Sequence, residues 1–302
     1  MLPVRVLVTG AAGQLGQALT AAVPAGVALR SVTHAQLDIA DEAAVGALFR
    51  ELAPEVVINA AAFTRVDAAE AAAEAAARAN AVGPRVLAAA CRTHGAWLTH
   101  VSTDFVFDGR QGHPYDPGAR PNPLNVYGRT KLDGETAVGH ELAGRCTVVR
   151  ASWLYSAIGG FAARMLALMK SRPQLAVVSD QVGAPTHAAG LAGVLWVMST
   201  RRAGGVWHWC DSGVASWYDF AVATAEEAVR LGLLPGAPPI TPIATADYRT
   251  AALRPAYSVL DKRATESLLG ITAPHWRTAL RATLATLSER AAPAAAAAGG
   301  PA

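Results

Sequence analysis

The stretch VRVLVTGAAGQLG (Val4–Gly16) decides the fold. VRVLVT is rich in β-branched residues and reads as a buried strand. It runs straight into Gly10, Gly13 and Gly16 at three-residue spacing. The first glycine permits a tight turn with positive φ, and the second lets backbone N–H groups approach a pyrophosphate. The third lets the following helix pack closely on the strand. A helix beginning near Gly13 then directs its positive end at the phosphates. In a chain with 27 glycines the spacing alone is a weak signal. A strand before the turn and a helix after it make it a dinucleotide site.

Working outward, short apolar runs alternate with longer amphipathic ones. A helix is expected over about Gln14–Ala22 and a second strand over Val27–Val32. DEAAVGALFREL (Asp41–Leu52) opens with an acid at a cap position and continues at helical spacing. EVVINAAA, entered through Pro54, is the third strand, and AWLTHVSTD closes the series with a fourth. The alanine-rich segment Asp67–Ala90 between them reads as helix, with a break expected at Gly83–Pro84. Buried strands alternating with helices define an α/β chain: a Rossmann-type doubly wound parallel sheet, covered on both faces and wound right-handedly. From Trp153 the regularity weakens, and proline-rich connections appear over Pro235–Pro242. The expected organisation is a dinucleotide-binding domain over 1–152 and a smaller substrate-binding region over 153–288. That region is partly interleaved with the first domain and sits at the sheet's carboxyl edge. The stretch 289–302 is mostly Ala, Pro and Gly and reads as a disordered tail.

Composition excludes several classes. A net charge of +3 with no basic run among aromatics argues against nucleic acid. The 52% apolar content is swollen by alanine, and the run Ala188–Met198 is far short of the ~20 residues a spanning helix needs. Since VRVLVTG already reads as the first strand, no signal peptide is expected. Cys91, Cys146 and Cys210 are widely spaced, form no CxxC pair, and fit inert thiols in the cytoplasm. No metal spacing is visible.

Which dinucleotide binds depends on the end of the second strand, where an acid would grip the ribose hydroxyls of NAD. Here the strand ends LRSVTH, without a carboxylate between Leu29 and His34. Arg30 or His34 can pair with a 2′-phosphate, or both can be solvated loop residues. The reading favours NADPH and leaves NADH open.

Only three of the 26 basic side chains are lysine, and one of them, Lys131, follows Tyr127 by four residues in NVYGRTK. The two are expected on one helix face, one turn apart. Tyrosine is a poor acid near neutrality, with a pKa of ~10. An ammonium ~5 Å away, at an effective dielectric of ~20, would lower it by roughly two units. That suits proton transfer to a carbonyl oxygen. A compact ammonium also bridges ribose hydroxyls better than a planar arginine fork. Ser102 and Thr103 follow the fourth strand, where a hydroxyl can hydrogen-bond a substrate carbonyl.

These motifs resemble the extended short-chain dehydrogenase/reductase superfamily. NAAAFTRVDAAE (Asn59–Glu70), STDFVFDG (Ser102–Gly109), PLNVYGRTK, RASWLY (Arg150–Tyr155) and DQVGAPT (Asp180–Thr186) look like dTDP-4-dehydrorhamnose reductases, from Val4 to about Leu287. The resemblance implies NADPH- or NADH-dependent reduction of the 4-keto group of dTDP-4-dehydro-L-rhamnose. It implies that Gly10, Gly13, Gln14, Leu15 and Gly16 form the pyrophosphate loop and that Asp38 and Ile39 contact adenine. Ala62, Phe63 and Thr64 would line the cofactor, with Phe63 standing where histidine is common. Tyr127 would donate the proton beside Lys131, and both would also contact the cofactor. Thr103 and Asp104 would contact substrate, Thr103 with a catalytic share, and Trp153 would lie beside the sugar, although a tryptophan there also reads as core.

Two other readings keep these motifs. One is a 4-ketoreductase for a different dTDP-deoxysugar, and the other is a non-catalytic dinucleotide-binding regulatory subunit. Some members of the family pair through magnesium bridged by glutamates. Here Gln17 and Ala18, and His187 to Ala189, occupy those stretches without a carboxylate. The expectation is a monomer or metal-independent dimer, with no resident metal, no membrane and no nucleic-acid partner.

Overall fold

The computed structural model describes residues 2–298. Its first half alternates β1 (Val4–Thr9), α1 (Gln14–Ala21), β2 (Val27–Val32), α2 (Glu42–Leu52) and β3 (Val56–Asn59). Then come α3 (Val66–Ala71), α4 (Ala73–Ala77), α5 (Gly83–His94), β4 (Trp97–Thr103), α6 (Val126–Leu142) and β5 (Cys146–Ala151). Short strands follow: β6 (Leu154–Tyr155), β7 (Leu175–Val178), β8 (Val182–Gly183), β9 (Thr186–His187), β10 (Gly205–Trp209), β11 (Ala215–Ser216) and β12 (Ile240–Ile243). The later helices are α7 (Phe161–Ser171), α8 (Ala188–Arg201), α9 (Trp217–Arg230), α10 (Arg263–Leu269) and α11 (Trp276–Ala298).

Six strands form one parallel sheet in the order β10-β5-β4-β3-β1-β2. Chain order turns back at β1, which lies between β2 and β3, so the crevice for a ligand opens beyond the carboxyl ends of β1 and β3. Alternation along β1 covers both faces. Val6 and Val8 pack with Leu15, Leu19, Leu191 and Trp196 of α1 and α8. Leu7 packs with Phe49, Leu87 and Val138 of α2, α5 and α6.

The helix break lies elsewhere than the sequence suggests. It falls at Ala72 (φ −126°, ψ 47°), and Gly83 is helical (φ −56°, ψ −51°). Pro84 cannot donate to the carbonyl of Asn80, and its ring would press on that group in a regular helix. The chain solves this by widening into a π turn over Arg78–Val82, with the Gly83 N–H reaching back to the Arg78 carbonyl. The freed Asn80 carbonyl is then packed by Gly134 of α6, where any Cβ would come within 2.1 Å of it. A proline and a glycine on two helices thus fix how closely α6 approaches.

The region after Trp153 has its own core of Met165, Phe220, Trp276 and Leu280 from α7, α9 and α11. It is threaded through the sheet domain, because α8 and β10 return to cover and extend the main sheet. α11 carries helical backbone into the stretch from 289 read as a disordered tail, and residues 299–302 lie outside the described ones. Arg150 of β5 and Glu135 of α6 form a buried ion pair at 2.7 Å. Removing one partner of such a pair strands a charge at a cost of about 3–5 kcal/mol. All three cysteines are buried and free. Among the described residues no helix is long and apolar enough to cross a membrane.

Candidate active site

The glycine turn is built as its spacing implies, with one refinement. Gly10 has φ +73°, and a Cβ there would meet Ala60 and Ala61 backbone at 2.6 Å. A Cβ at Gly16 would lie 2.2 Å from the Gly10 carbonyl, so only glycine lets α1 close on the strand. Gly13 has ordinary extended backbone (φ −75°) and needs its missing side chain only for what approaches the turn. α1 starts without a side-chain cap or an acid in its first turn. Its first N–H groups therefore remain available to an anion, which fits a pyrophosphate. The Leu15 side chain is core (6% exposed), leaving its backbone for that role. Gln14 accepts a hydrogen bond from Ser156 Oγ at 2.9 Å, tying the loop to the second region.

Beyond β3, Ala62, Phe63 and Thr64 form an irregular segment that Asn80 clamps. Asn80 Oδ1 accepts from the Phe63 N–H (2.8 Å), and Nδ2 donates to the Phe63 carbonyl and to Thr130 Oγ1 (both 3.1 Å). Arg65 sits over the Phe63 ring, 5.3 Å from its centre. Asp38 caps the Ala40 N–H and accepts from Arg78 at 2.7 Å. These two bonds, the first foremost, hold its carboxyl below the usual range. Ile39 is core, packed against Gly83. Arg30 and His34 are exposed at the end of β2.

The start of α6 is over-determined. Asn125 accepts from the Gly128 N–H (2.8 Å) and donates to the Leu253 carbonyl (2.7 Å). Glu70 accepts from the Val126 N–H. A Cβ on Gly128 would sit 2.2 Å from the Phe105 carbonyl, so the glycine of NVYGRTK presses the helix onto the turn after β4. Tyr127 therefore lies beside Thr103 and Asp104, and Lys131 beside Val101 and His100. The Thr103 hydroxyl lies near the Tyr127 phenol, and the Phe105 ring meets the Tyr127 ring edge-on. Ser102 Oγ and Asp104 Oδ2 are buried without a partner.

The expected electrostatics of the pair need correcting. Burial pushes the Tyr127 phenol up to about 12, against the downward pull of Thr103. Lys131 does not relieve it: Nζ donates to the Val101 carbonyl at 2.6 Å and lies 3.5 Å from His100 Nε2. Burial also weakens the lysine's own hold on its proton, to about 8. Desolvation acts on both groups and outweighs the Coulomb attraction that their spacing implies.

Burial likewise raises Asp104 from its ordinary 3.8 to about 7, outweighing the downward pull of Ser258 and Thr103. A carboxyl whose folded pKa is raised opposes folding once ionised. Its contribution is intact below about pH 4 and is lost as pH rises through about 7. Asp104→Asn is therefore expected to raise the Tm at pH 8 and to change it far less near pH 4, read by calorimetry. An equal shift at both would contradict a raised Asp104.

Trp153 adopts φ +46°, uncommon for a bulky residue. Its ring lies flat on Trp217 (centroids 3.5 Å, planes 5° apart), and a Cβ on Gly183 would collide with it at 2.5 Å. It is half-buried, between a core residue and an exposed platform. Gln181 of the DQVGAPT string accepts from Trp217 Nε1 and donates to Thr245 Oγ1. Sequence reasoning missed Trp217, Gln181, Asn80 and His100. Nothing near Trp217 in sequence marks it, whereas His100 was visible as a polar residue inside an apolar strand. A carboxylate does reach the stretch His187–Ala189: Asp211 accepts from the His187 N–H at 3.1 Å. It is buried, and burial pushes it up to about 7, so it is no surface ligand.

A phenol and an amine one helical turn apart, at the carboxyl edge of a sheet with a dinucleotide turn, place the chain among the extended short-chain dehydrogenases/reductases. The family model described as "RmlD substrate binding domain" matches residues 4–289. The dTDP-4-dehydrorhamnose reductase of Aggregatibacter actinomycetemcomitans is 37% identical, over 92% of this chain and 97% of that one. A dTDP-4-keto-6-deoxy-D-glucose reductase of Streptomyces niveus is 40% identical, over 91% and 95%. The dTDP-4-dehydrorhamnose reductase of Bacillus anthracis, solved in complex with NADP, superposes with a TM-score of 0.87 at 33% identity, over 93% and 98%. The chain belongs to the dTDP-4-dehydrorhamnose reductase family.

Proposed function

We propose that the chain reduces the 4-keto group of dTDP-4-dehydro-L-rhamnose to give dTDP-L-rhamnose, with NADPH as reductant and Tyr127 as proton donor. The observation that carries this reading is the orphaned, buried Asp104 Oδ2 just after β4, beside Tyr127 and Thr103. Buried polar atoms without partners cost free energy, so this edge is built for a polar ligand. When bound, the nicotinamide supplies a hydride to the carbonyl carbon. Thr103 and Asp104 hold the carbonyl, Tyr127 gives its proton to the oxygen, and Trp153 flanks the sugar. The uncapped start of α1 holds the pyrophosphate, Asp38 and Ile39 border the adenine, and Ala62 to Thr64 line the cofactor.

The Streptomyces niveus relative favours a second reading, in which the substrate is another dTDP-4-keto sugar. The test is nicotinamide absorbance with the rhamnose precursor and with dTDP-4-keto-6-deoxy-D-glucose, each product identified by NMR. Higher kcat/KM for the second sugar would replace the first reading with the second.

With no acid ending β2 and with Arg30 and His34 exposed there, NADPH is expected to be used at least as well as NADH. A clear preference for NADH in kcat/KM would overturn that. The reaction belongs in the cytoplasm on this reading. Rate and light-scattering mass are expected to be indifferent to EDTA and to added magnesium, and a chelator-induced fall in either would reveal a metal site.

A further inference from the structure

A buried polar line crosses the sheet from β1 to α6. Thr9 Oγ1 donates to Asn59 Oδ1 (2.7 Å), and the Ala61 N–H donates to the same oxygen (3.1 Å). A backbone N–H only donates, so that Asn59 atom is oxygen. Its amide nitrogen then faces His100 Nδ1, 3.0 Å away. An amide nitrogen also only donates, which makes Nδ1 the acceptor and puts the ring proton on Nε2. Nε2 faces Lys131 Nζ at 3.5 Å. Thr9, Asn59 and His100 are fully buried and Lys131 is 2% exposed, so bulk water does not compete for these roles.

An N–H aimed at an amine is favourable when the amine offers a lone pair, and an ammonium has none. Ionising the ring offers no escape. A proton on Nδ1 would face the Asn59 amide hydrogens, and burial foremost, with Lys131 beside it, holds the ring's proton affinity well below normal. Either form of the lysine can donate to the Val101 carbonyl.

We propose that His100 is a positioning residue: its tautomer, fixed by Asn59, loosens the proton on Lys131 and so sets the lysine's ionisation beside Tyr127. The proposal rests on the reading of Lys131 as part of the reductase site. Other charges around α6 are committed elsewhere. Glu135 favours the ammonium but is bonded to Arg150 of β5. Arg78 of the π turn is paired with Asp38, and Arg92 of α5 with Glu141. Glu70 of α3 accepts from the Val126 N–H, and Asp104 acts on Tyr127. Among the described residues His100 is the titratable side chain that meets Nζ directly from the sheet.

With only Lys131, Lys170 and Lys262 in the chain, the test needs no turnover. In protein carrying 13C-labelled lysine, the Cε signal of Lys131 is assigned by its loss in Lys131→Arg, and its midpoint is expected below those of the other two. His100→Asn keeps an acceptor where Nδ1 stands but removes the Nε2–H. His100→Gln can turn a carbonyl toward Nζ. In both, the Lys131 midpoint is expected to rise by about one unit or more. In wild-type protein with 15N-labelled histidine, His100 is expected to keep Nδ1 unprotonated at neutral pH. That spectrum decides the matter if neither variant folds. An Nδ1–H ring, an imidazolium, or an unmoved Lys131 midpoint in a folded variant would overturn the proposal. Absent turnover of dTDP-sugars, with these spectra as expected, would instead strike the functional reading.

Discussion

Tyr127→Phe is expected to lower kcat by ~10²–10⁴, the usual share of a positioned general acid, while NADPH binds nearly as before. The ring stays, and with it the edge contact to Phe105. What is lost is one hydroxyl, near Thr103 at the end of β4. α6 keeps its Asn125 cap, the Glu70 bond and the Gly128 contact, so the fold has no reason to change. Steady-state rates give the first half of the expectation, and a fluorescence titration with NADPH gives the second. A variant within tenfold of wild type would remove Tyr127 from the chemistry. Loss of NADPH binding would show that the hydroxyl serves the cofactor instead.

Lys131→Arg should lose at least about a hundredfold in kcat/KM, although it keeps a positive charge. The slot is closed: the side chain is 2% exposed, with Nζ 2.6 Å from the Val101 carbonyl and His100 behind it. A guanidinium is larger and planar, and overpacking such a site costs about 1–3 kcal/mol. Arginine also stays ionised under all working conditions, so it cannot meet the His100 N–H with a lone pair. Near wild-type activity in a folded Lys131→Arg enzyme would mean that charge alone suffices and that neither shape nor ionisation matters.

The sheet was legible in the sequence because β1, β3 and β4 are largely apolar, β-branched runs that end in chemistry: Gly10, Asn59, and Ser102 with Thr103. The glycine spacing and the Tyr127–Lys131 pair were legible because each is a local spacing, although what enforces them is long-range: Gly10 packs on Ala60 and Ala61, and Gly128 on Phe105. The kink in the alanine-rich helices was misplaced because proline rules assume a regular helix, whereas here the π turn absorbs Pro84 and the break lies at Ala72. The energetics of the pair were not legible at all. Spacing gives a distance between two groups but not how far both are withdrawn from water, and here burial dominates both. The long-range partners were equally hidden. Trp217 lies far along the chain from Trp153, and Asn80 reaches Phe63 and Thr130 only after two helices have packed.

The central claim is that this chain moves a hydride to C4 of a dTDP-4-keto sugar while Tyr127 protonates the oxygen. It is tested most directly by turning over dTDP-4-dehydro-L-rhamnose with NADPH deuterated at the transferable position and locating the label by NMR. The account predicts dTDP-L-rhamnose carrying deuterium at C4 of the sugar, and no such product beyond a trace from Tyr127→Phe. Deuterium at another carbon, or unchanged substrate with fully folded, NADPH-binding enzyme, would contradict it.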